Sequence, residues 1–263
     1  MLFDTHAHYD DEAFDPDRRE VLAGLPQRGV GLVVDPGCTL TSSEKAVALA
    51  AEFPHVYAAV GLHPENCHDF QPEQIERLRQ LARREKVVAI GEVGLDYYWE
   101  ENPPRALQQE VLRRQLALAE ELKLPVIFHD REAHEDTLRL LREVRPRGVI
   151  HCFSGSVEMM REAVALGLYI GLGGAVTFKN ARRPAEVAAA VPEDRLLLET
   201  DAPYMAPVPF RGKRCDSSLI PYTAEKIALA RSEKEGFIIT PKEILNATKN
   251  NAARLYGITP EVL

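Results

Sequence analysis

The residues with the clearest chemical potential are a pair of histidines near the start of the chain, His6-x-His8 in MLFDTHAHYD. In an extended segment residues i and i+2 face the same side, so both imidazoles can converge on one metal ion. Histidines so placed can also do no more than hydrogen-bond inside a core. Four further side chains sharpen the reading. Glu92 follows the apolar run of VVAIGEVGLD, His129 that of LPVIFHD, His151 that of GVIHCFSG and Asp201 that of LLLETDAP. Each has an ordinary reading as well, a histidine bonded to a carbonyl or a carboxylate capping the next helix. Their shared position after apolar runs is what points to a metal centre.

Four imidazoles and two carboxylates exceed the needs of one tetrahedral ion with an open position. They suit two divalent ions bridged by a carboxylate. The expected assignment has His6, His8, Glu92 and Asp201 around one ion and Glu92, His129 and His151 around the other. Such a donor set suits zinc, manganese or cobalt, and magnesium is compatible with two-metal phosphoryl chemistry. Asp201 is the candidate general base, and Glu92, as the bridge, belongs to the reacting centre with it. Asp4 and Glu199 share the parity of His6 and Asp201. They are expected to point inward one layer deeper and to orient the ligands.

These residues must be positioned by short strands. Aliphatic and β-branched runs predict strands at Leu2–Thr5, Val30–Val34, Val56–Val60, Val87–Gly91, Pro125–Phe128, Gly148–Ile150, Leu168–Leu172 and Leu196–Thr200. Helical periodicity fills the gaps, as in Arg105–Leu122, and Thr41-Ser42-Ser43-Glu44 carries helix-start chemistry. Eight strand–helix alternations predict an α/β fold of the TIM-type (β/α)8 barrel class, whose active sites lie at the C-terminal ends of the strands. An open doubly wound sheet is the competing architecture. No G-x-G-x-x-G follows the first strand, which weakens its dinucleotide-binding form.

With 263 residues and no linker or repeat, one domain spanning 1–263 is expected, its Pro203–Ser217 segment forming a long irregular loop. A hydrophobic content of 45% and no apolar run near the roughly 20 residues of a membrane span predict a protein without membrane association. The N-terminus lacks a basic-then-apolar leader, and the scattered Cys38, Cys67, Cys152 and Cys215 suit reduced thiols, so a cytoplasmic location is expected. No apolar stripe stands out, and a monomer is expected. The net charge of −8 disfavours a protein that coats nucleic acid, but not an enzyme with a local basic rim.

Taken in order, DTHAH, GLHP (61–64), IGEVGLDYY (90–98), PVIFHDREA (125–133), HCFSG (151–155), GGAVTFKNA (173–181), LLLETDAPY (196–204) and the C-terminal NAARLYGI resemble the TatD family of metal-dependent deoxyribonucleases, within the amidohydrolase-like barrels. The likeness covers nearly the whole chain. It implies a divalent-metal nuclease, acting as a 3′-to-5′ exonuclease on single-stranded DNA or on RNA. His6, His8, Glu92, His129, His151 and Asp201 fall on the family's metal positions, all unsubstituted. The chain departs from the family where an R-N-E-P-like turn is usual and Arg214-Cys215-Asp216-Ser217 stands instead. That change spares the metals and bears on how the loop positions substrate.

A basic rim would suit a phosphodiester. Arg131, Lys179, Arg182, Arg183, Arg211, Lys213 and Arg214 are assigned to loops or helix starts on the metal-bearing face. His63 in GLHP is a candidate phosphate contact. Tyr97, Tyr98 and Trp99 could stack bases, or could plug the barrel mouth. Two other readings stay open. One is a barrel hydrolase of a small ester, lactone or amide; many of these use a carboxylated lysine on the fourth strand, where this chain has Glu92. The other is a metal-binding scaffold without catalysis.

Overall fold

A computed structural model describes residues 1–259. Eight parallel strands stand in the order of the sequence: β1 (Leu2–Asp4), β2 (Val30–Pro36), β3 (Val56–Val60), β4 (Val87–Asp96), β5 (Val126–Arg131), β6 (Gly148–Ile150), β7 (Tyr169–Leu172) and β8 (Leu196–Leu198). Helices alternate with them: α1 (Arg18–Gly24), α2 (Leu40–Glu52), α3 (Glu73–Ala82), α4 (Arg105–Leu122), α5 (His134–Val144), α6 (Val157–Ala165) and α7 (Arg182–Ala190), then α8 (Ile220–Glu235) and α9 (Pro241–Tyr256). This is the predicted (β/α)8 barrel, and no described helix is long and apolar enough to cross a membrane.

The barrel has two cores. Every strand contributes to an inner one, through residues such as Phe3, Leu32, Ala59, Ile127, Val149 and Leu197. Ala252, Leu255 and Tyr256 of α9 join it and plug the barrel, so the helix after the last repeat completes the interior. The second core packs the outer strand faces against the helices. Buried on both faces, the strands read as continuous apolar runs, which is why they were visible in the sequence.

Closure between β8 and β1 is made just beyond the two strands. Thr5 N donates to Leu198 O at 3.1 Å, Asp201 N to His6 O at 2.9 Å and His8 N to Ala202 O at 2.7 Å. Asp4 fastens the same seam: its carboxylate accepts from Thr200 N (3.0 Å), Thr200 Oγ1 (2.6 Å) and His6 N (3.2 Å). Thus Asp4 does not sit one layer beneath the ligands as expected. Phe3 takes the inner position on β1, and Asp4 positions His6 through the main chain.

Several element boundaries differ from expectation, three of them next to the candidate site. The α2 start lies two residues earlier, where Thr39 and Ser42 form a reciprocal capping box. Strands β4 and β5 run past the predicted ends, to Asp96 and Arg131. Glu92 and His129 therefore lie within strands; the ladder holds the His129 backbone, and Glu92 N, at an irregularity in the register, donates instead to Gly37 O at 2.9 Å. Gly94 pairs with His129 across these strands at φ 158°, and a Cβ there would collide with the His129 carbonyl.

Candidate metal centre

Glu92 is the hub. Its side chain is nearly inaccessible, yet imidazoles surround it on both oxygens. On one side Oε2 lies 3.2 Å from His6 Nε2 and 3.5 Å from His8 Nε2. Those two nitrogens are 3.0 Å apart, and Asp201 Oδ1 stands 3.7 and 3.6 Å from them. On the other side Oε1 lies 2.7 Å from His151 Nε2, 3.0 Å from His129 Nδ1 and 3.4 Å from His63 Nε2.

Donors about 2.0–2.1 Å from a shared tetrahedral ion are separated by about 3.4 Å, so these spacings fit two neighbouring ions. The donor types fit as well: these imidazole nitrogens meet mainly one another and the Glu92 and Asp201 oxygens, an arrangement that makes sense around cations. The structure thus brings His6, His8, Glu92, Asp201, His129 and His151 into one constellation. It adds His63, whose Nε2 stands among the donors at Oε1 and whose side chain also lines the cavity above them.

Burial alone would raise the Glu92 carboxyl, but the charges of His151, His6 and His63 and the His129 hydrogen bond hold it well below the usual range. For Asp201 burial is likewise outweighed, chiefly by His8 and His151, and its pKa is lowered. His6 is pushed down to about 4, first by burial and then by His151, which favours the neutral imidazole a metal requires. Asp201 itself adopts φ 58°, a left-handed backbone that swings its carboxylate back toward the histidines.

Supporting groups explain the ring orientations. His8 Nδ1 lies 3.1 Å from Pro36 O, which directs Nε2 to the centre. His129 Nε2 lies 2.8 Å from Asp96 Oδ2, leaving Nδ1 for Glu92. Asp96 was missed in the sequence because the predicted strand stopped at Gly91. Continued at period two, it carries Glu92, Gly94 and Asp96 to one face. Glu199 is buried, accepts from Cys152 N, and brings an oxygen within 4.8 Å of a nitrogen of both His6 and His151. Burial pushes it up to about 8.

The centre opens into a cavity of about 690 Å³ whose wall includes Cys38, Trp99, Arg131, Cys152 and Tyr204. Arg131 stacks over the Tyr98 ring at 3.9 Å and faces Trp99 at 5.3 Å. Tyr97 points elsewhere: its hydroxyl donates to Asp136 at 2.9 Å, and Arg105 covers its ring. The expected basic rim is not drawn to the wall. Lys179 is exposed and is not among the wall residues, Arg211 stacks on Phe178 at 4.4 Å, and Arg182 pairs with Glu186 at 2.9 Å. Arg214 is spent on Asp17, with contacts of 2.7 and 2.6 Å, while Asp216 binds Arg28 at 2.7 Å. The Arg214–Ser217 departure thus ties the last loop to the N-terminal segment. On the wall, Asp10, Asp11, Glu65, Glu92, Asp130 and Asp201 outweigh Arg131.

Residues 3–257 match the family model described as TatD related DNase. The chain belongs to the TatD family. Its relatives include an uncharacterized metal-dependent hydrolase, YabD of Bacillus subtilis, 43% identical over 98% of this chain and all of that protein. Another is the 3′-5′ ssDNA/RNA exonuclease TatD of Cronobacter sakazakii, 38% identical over 97% of each chain. The crystal structure of YjjV, a TatD homologue from Escherichia coli, superimposes with a TM-score of 0.90 at 34% identity, covering 98% of each chain. Membership makes this TatD-family protein a metal-dependent hydrolase acting on ester bonds, and the structure holds clusters of His, Glu and Asp side chains that could bind metal.

Proposed function

We propose that this protein is a nuclease that uses two divalent ions, zinc, manganese or magnesium, to hydrolyse phosphodiester bonds at free 3′ ends of single-stranded DNA, and of RNA presented in the same way. The observation that carries the reading is the split of the Glu92 carboxylate between two donor sets. His6, His8 and Asp201 would hold one ion; His63, His129 and His151 would hold the other. The ions would supply Lewis acidity and an acidified water.

The remaining work falls to the chain. Asp201 is ionised, partly open to the cavity and placed to take the proton of the attacking water. The acid-lined wall repels a bare phosphate, so an anionic substrate is bound only where cations neutralise the carboxylates. Arg131 adds a fixed positive charge at the edge of the cavity. Trp99 and Tyr98 offer ring faces to the terminal bases, for which stacking is worth about 1–3 kcal/mol per base. A cavity of about 690 Å³ suits the end of a strand better than the flank of a duplex. The TatD exonuclease of Cronobacter sakazakii, similar over nearly the full length, supports the same substrate class and direction.

The test is turnover of single-stranded, blunt and 3′-recessed DNA by EDTA-stripped protein with zinc, manganese or magnesium restored. Mononucleotides released from the 3′ end only with metal, and lost in Asp201→Asn while at least one ion stays bound, are the expected result. No cleavage at full metal occupancy would replace this reading with a small ester or amide substrate.

A further inference from the structure

Cys38 lies at the turn between β2 and α2, on the cavity wall beside the first donor set. Its sulfur is 3.9 Å from Glu92 Oε2, the same oxygen that faces His6 at 3.2 Å and His8 at 3.5 Å. Two donors at about 2.3 Å (sulfur) and 2.1 Å (oxygen) from one ion are about 3.6 Å apart at the tetrahedral angle and about 3.8 Å at 120°. The observed spacing, a thiol-to-carboxylate hydrogen bond without metal, is also wide enough for the two atoms to share one ion at an angle a little above 120°.

A cysteine on a cavity wall means little by itself. Here the atoms it faces point independently to a cation: among the described residues, His6 Nε2 and Glu92 Oε2 are over nine-tenths buried and meet only other candidate donors. The turn is also fixed to the second donor set. Gly37 O accepts from Glu92 N at 2.9 Å, Cys38 O from His63 N at 2.9 Å, and Ser42 Oγ from Cys38 N at 2.7 Å. The thiol is presented by the backbone that also positions Glu92 and His63.

We propose that Cys38 is a sulfur ligand to the first ion, completing a set with His6, His8, Glu92 and Asp201 and biasing that site toward zinc over manganese or magnesium. The inference rests on the metal-centre part of the reading above and not on the substrate. A soft thiolate favours zinc, whereas carboxylate and water suit magnesium and manganese equally well or better. On binding, the sulfur–metal bond forms and the thiol proton passes to solvent.

The experiment is absorption spectroscopy of full-length protein stripped with EDTA and loaded with cobalt(II), together with zinc–manganese competition. Wild type should show visible d–d bands and a near-ultraviolet sulfur-to-cobalt charge-transfer band. Cys38→Ser should keep the d–d bands and the cobalt stoichiometry, lose the charge-transfer band, and lower the preference for zinc over manganese by roughly tenfold. Cys152→Ser, which alters the other thiol on the wall, should leave the band intact. Wild-type d–d bands without charge transfer, or charge transfer surviving Cys38→Ser, would overturn the assignment while leaving the metal centre standing. Absence of d–d bands would overturn the metal centre and the cysteine together. Neither outcome depends on nuclease turnover, so failure of the substrate reading is seen separately.

Discussion

At the scale of single residues, His8, His63 and His129 are each aimed by a contact on the second ring nitrogen. His129 is the clearest case, clamped with Glu92 Oε1 at 3.0 Å on Nδ1 and Asp96 Oδ2 at 2.8 Å on Nε2. Removing such an outer partner typically costs roughly 10–100-fold in metal affinity. Asp96→Asn should therefore weaken binding of one ion by that factor and leave the other nearly unchanged, as read by a stepwise metal titration. Arg131 has a different role. It touches no candidate ligand among its recorded contacts and stacks on Tyr98 at 3.9 Å. Arg131→Ala should raise KM for single-stranded DNA several-fold while metal content, measured by elemental analysis, stays at the wild-type value. A matching loss of metal would place Arg131 in the centre and not on the substrate path.

At the scale of elements, precision comes from strands carrying the donors and from helices that cannot slide against them. Helix α9 both plugs the barrel interior through Leu255 and Tyr256 and contacts β8 and β1, the strands whose ends bear Asp201 and His6. It starts with a capping box in which Thr240 Oγ1 accepts from Glu243 N and Glu243 returns to Thr240 N at 2.7 Å. Thr240→Ala removes one half of that exchange and should lower unfolding stability by about 1 kcal/mol in urea denaturation, with little change in metal affinity. A larger loss coupled to weaker metal binding would show that the helix start is linked to the seam. The Gly94 close approach, by contrast, leaves no room for any side chain between β4 and β5.

At the scale of the molecule, the barrel gathers mutually crowded polar groups in one place. Glu92, Glu199 and Asp4 are withdrawn from water, with Asp201 partly so, beside histidines whose nitrogens crowd one another. Cations bound there stabilise the folded chain through linkage, because the unfolded chain does not assemble the site. Zinc or manganese at about one hundred times its Kd should add about 2.7 kcal/mol per site, seen as a rise in the thermal midpoint that EDTA reverses. An unchanged midpoint would mean that these residues do not hold metal in the folded protein.

The sequence by itself determined the eight-fold strand–helix alternation and the location of His6, His8, Glu92, His129, His151 and Asp201 at strand ends or just inside them. Strands buried on both faces must be apolar throughout, so a polar metal-capable residue beside one stands out without coordinates. Only the tertiary structure decided the rest. Which oxygen of Glu92 faces which histidine, and the entry of His63 and Asp96, depend on how far β4 extends and how neighbouring strands register. The fates of Arg211, Arg214 and Tyr97 turned on partners far away in the chain or on other elements, Phe178, Asp17 and Asp136, and a charge on a loop cannot show by its position whether it faces a substrate or a neighbour. Periodicity reports which way a side chain leaves its own strand; what it meets there is settled by the closure of the barrel.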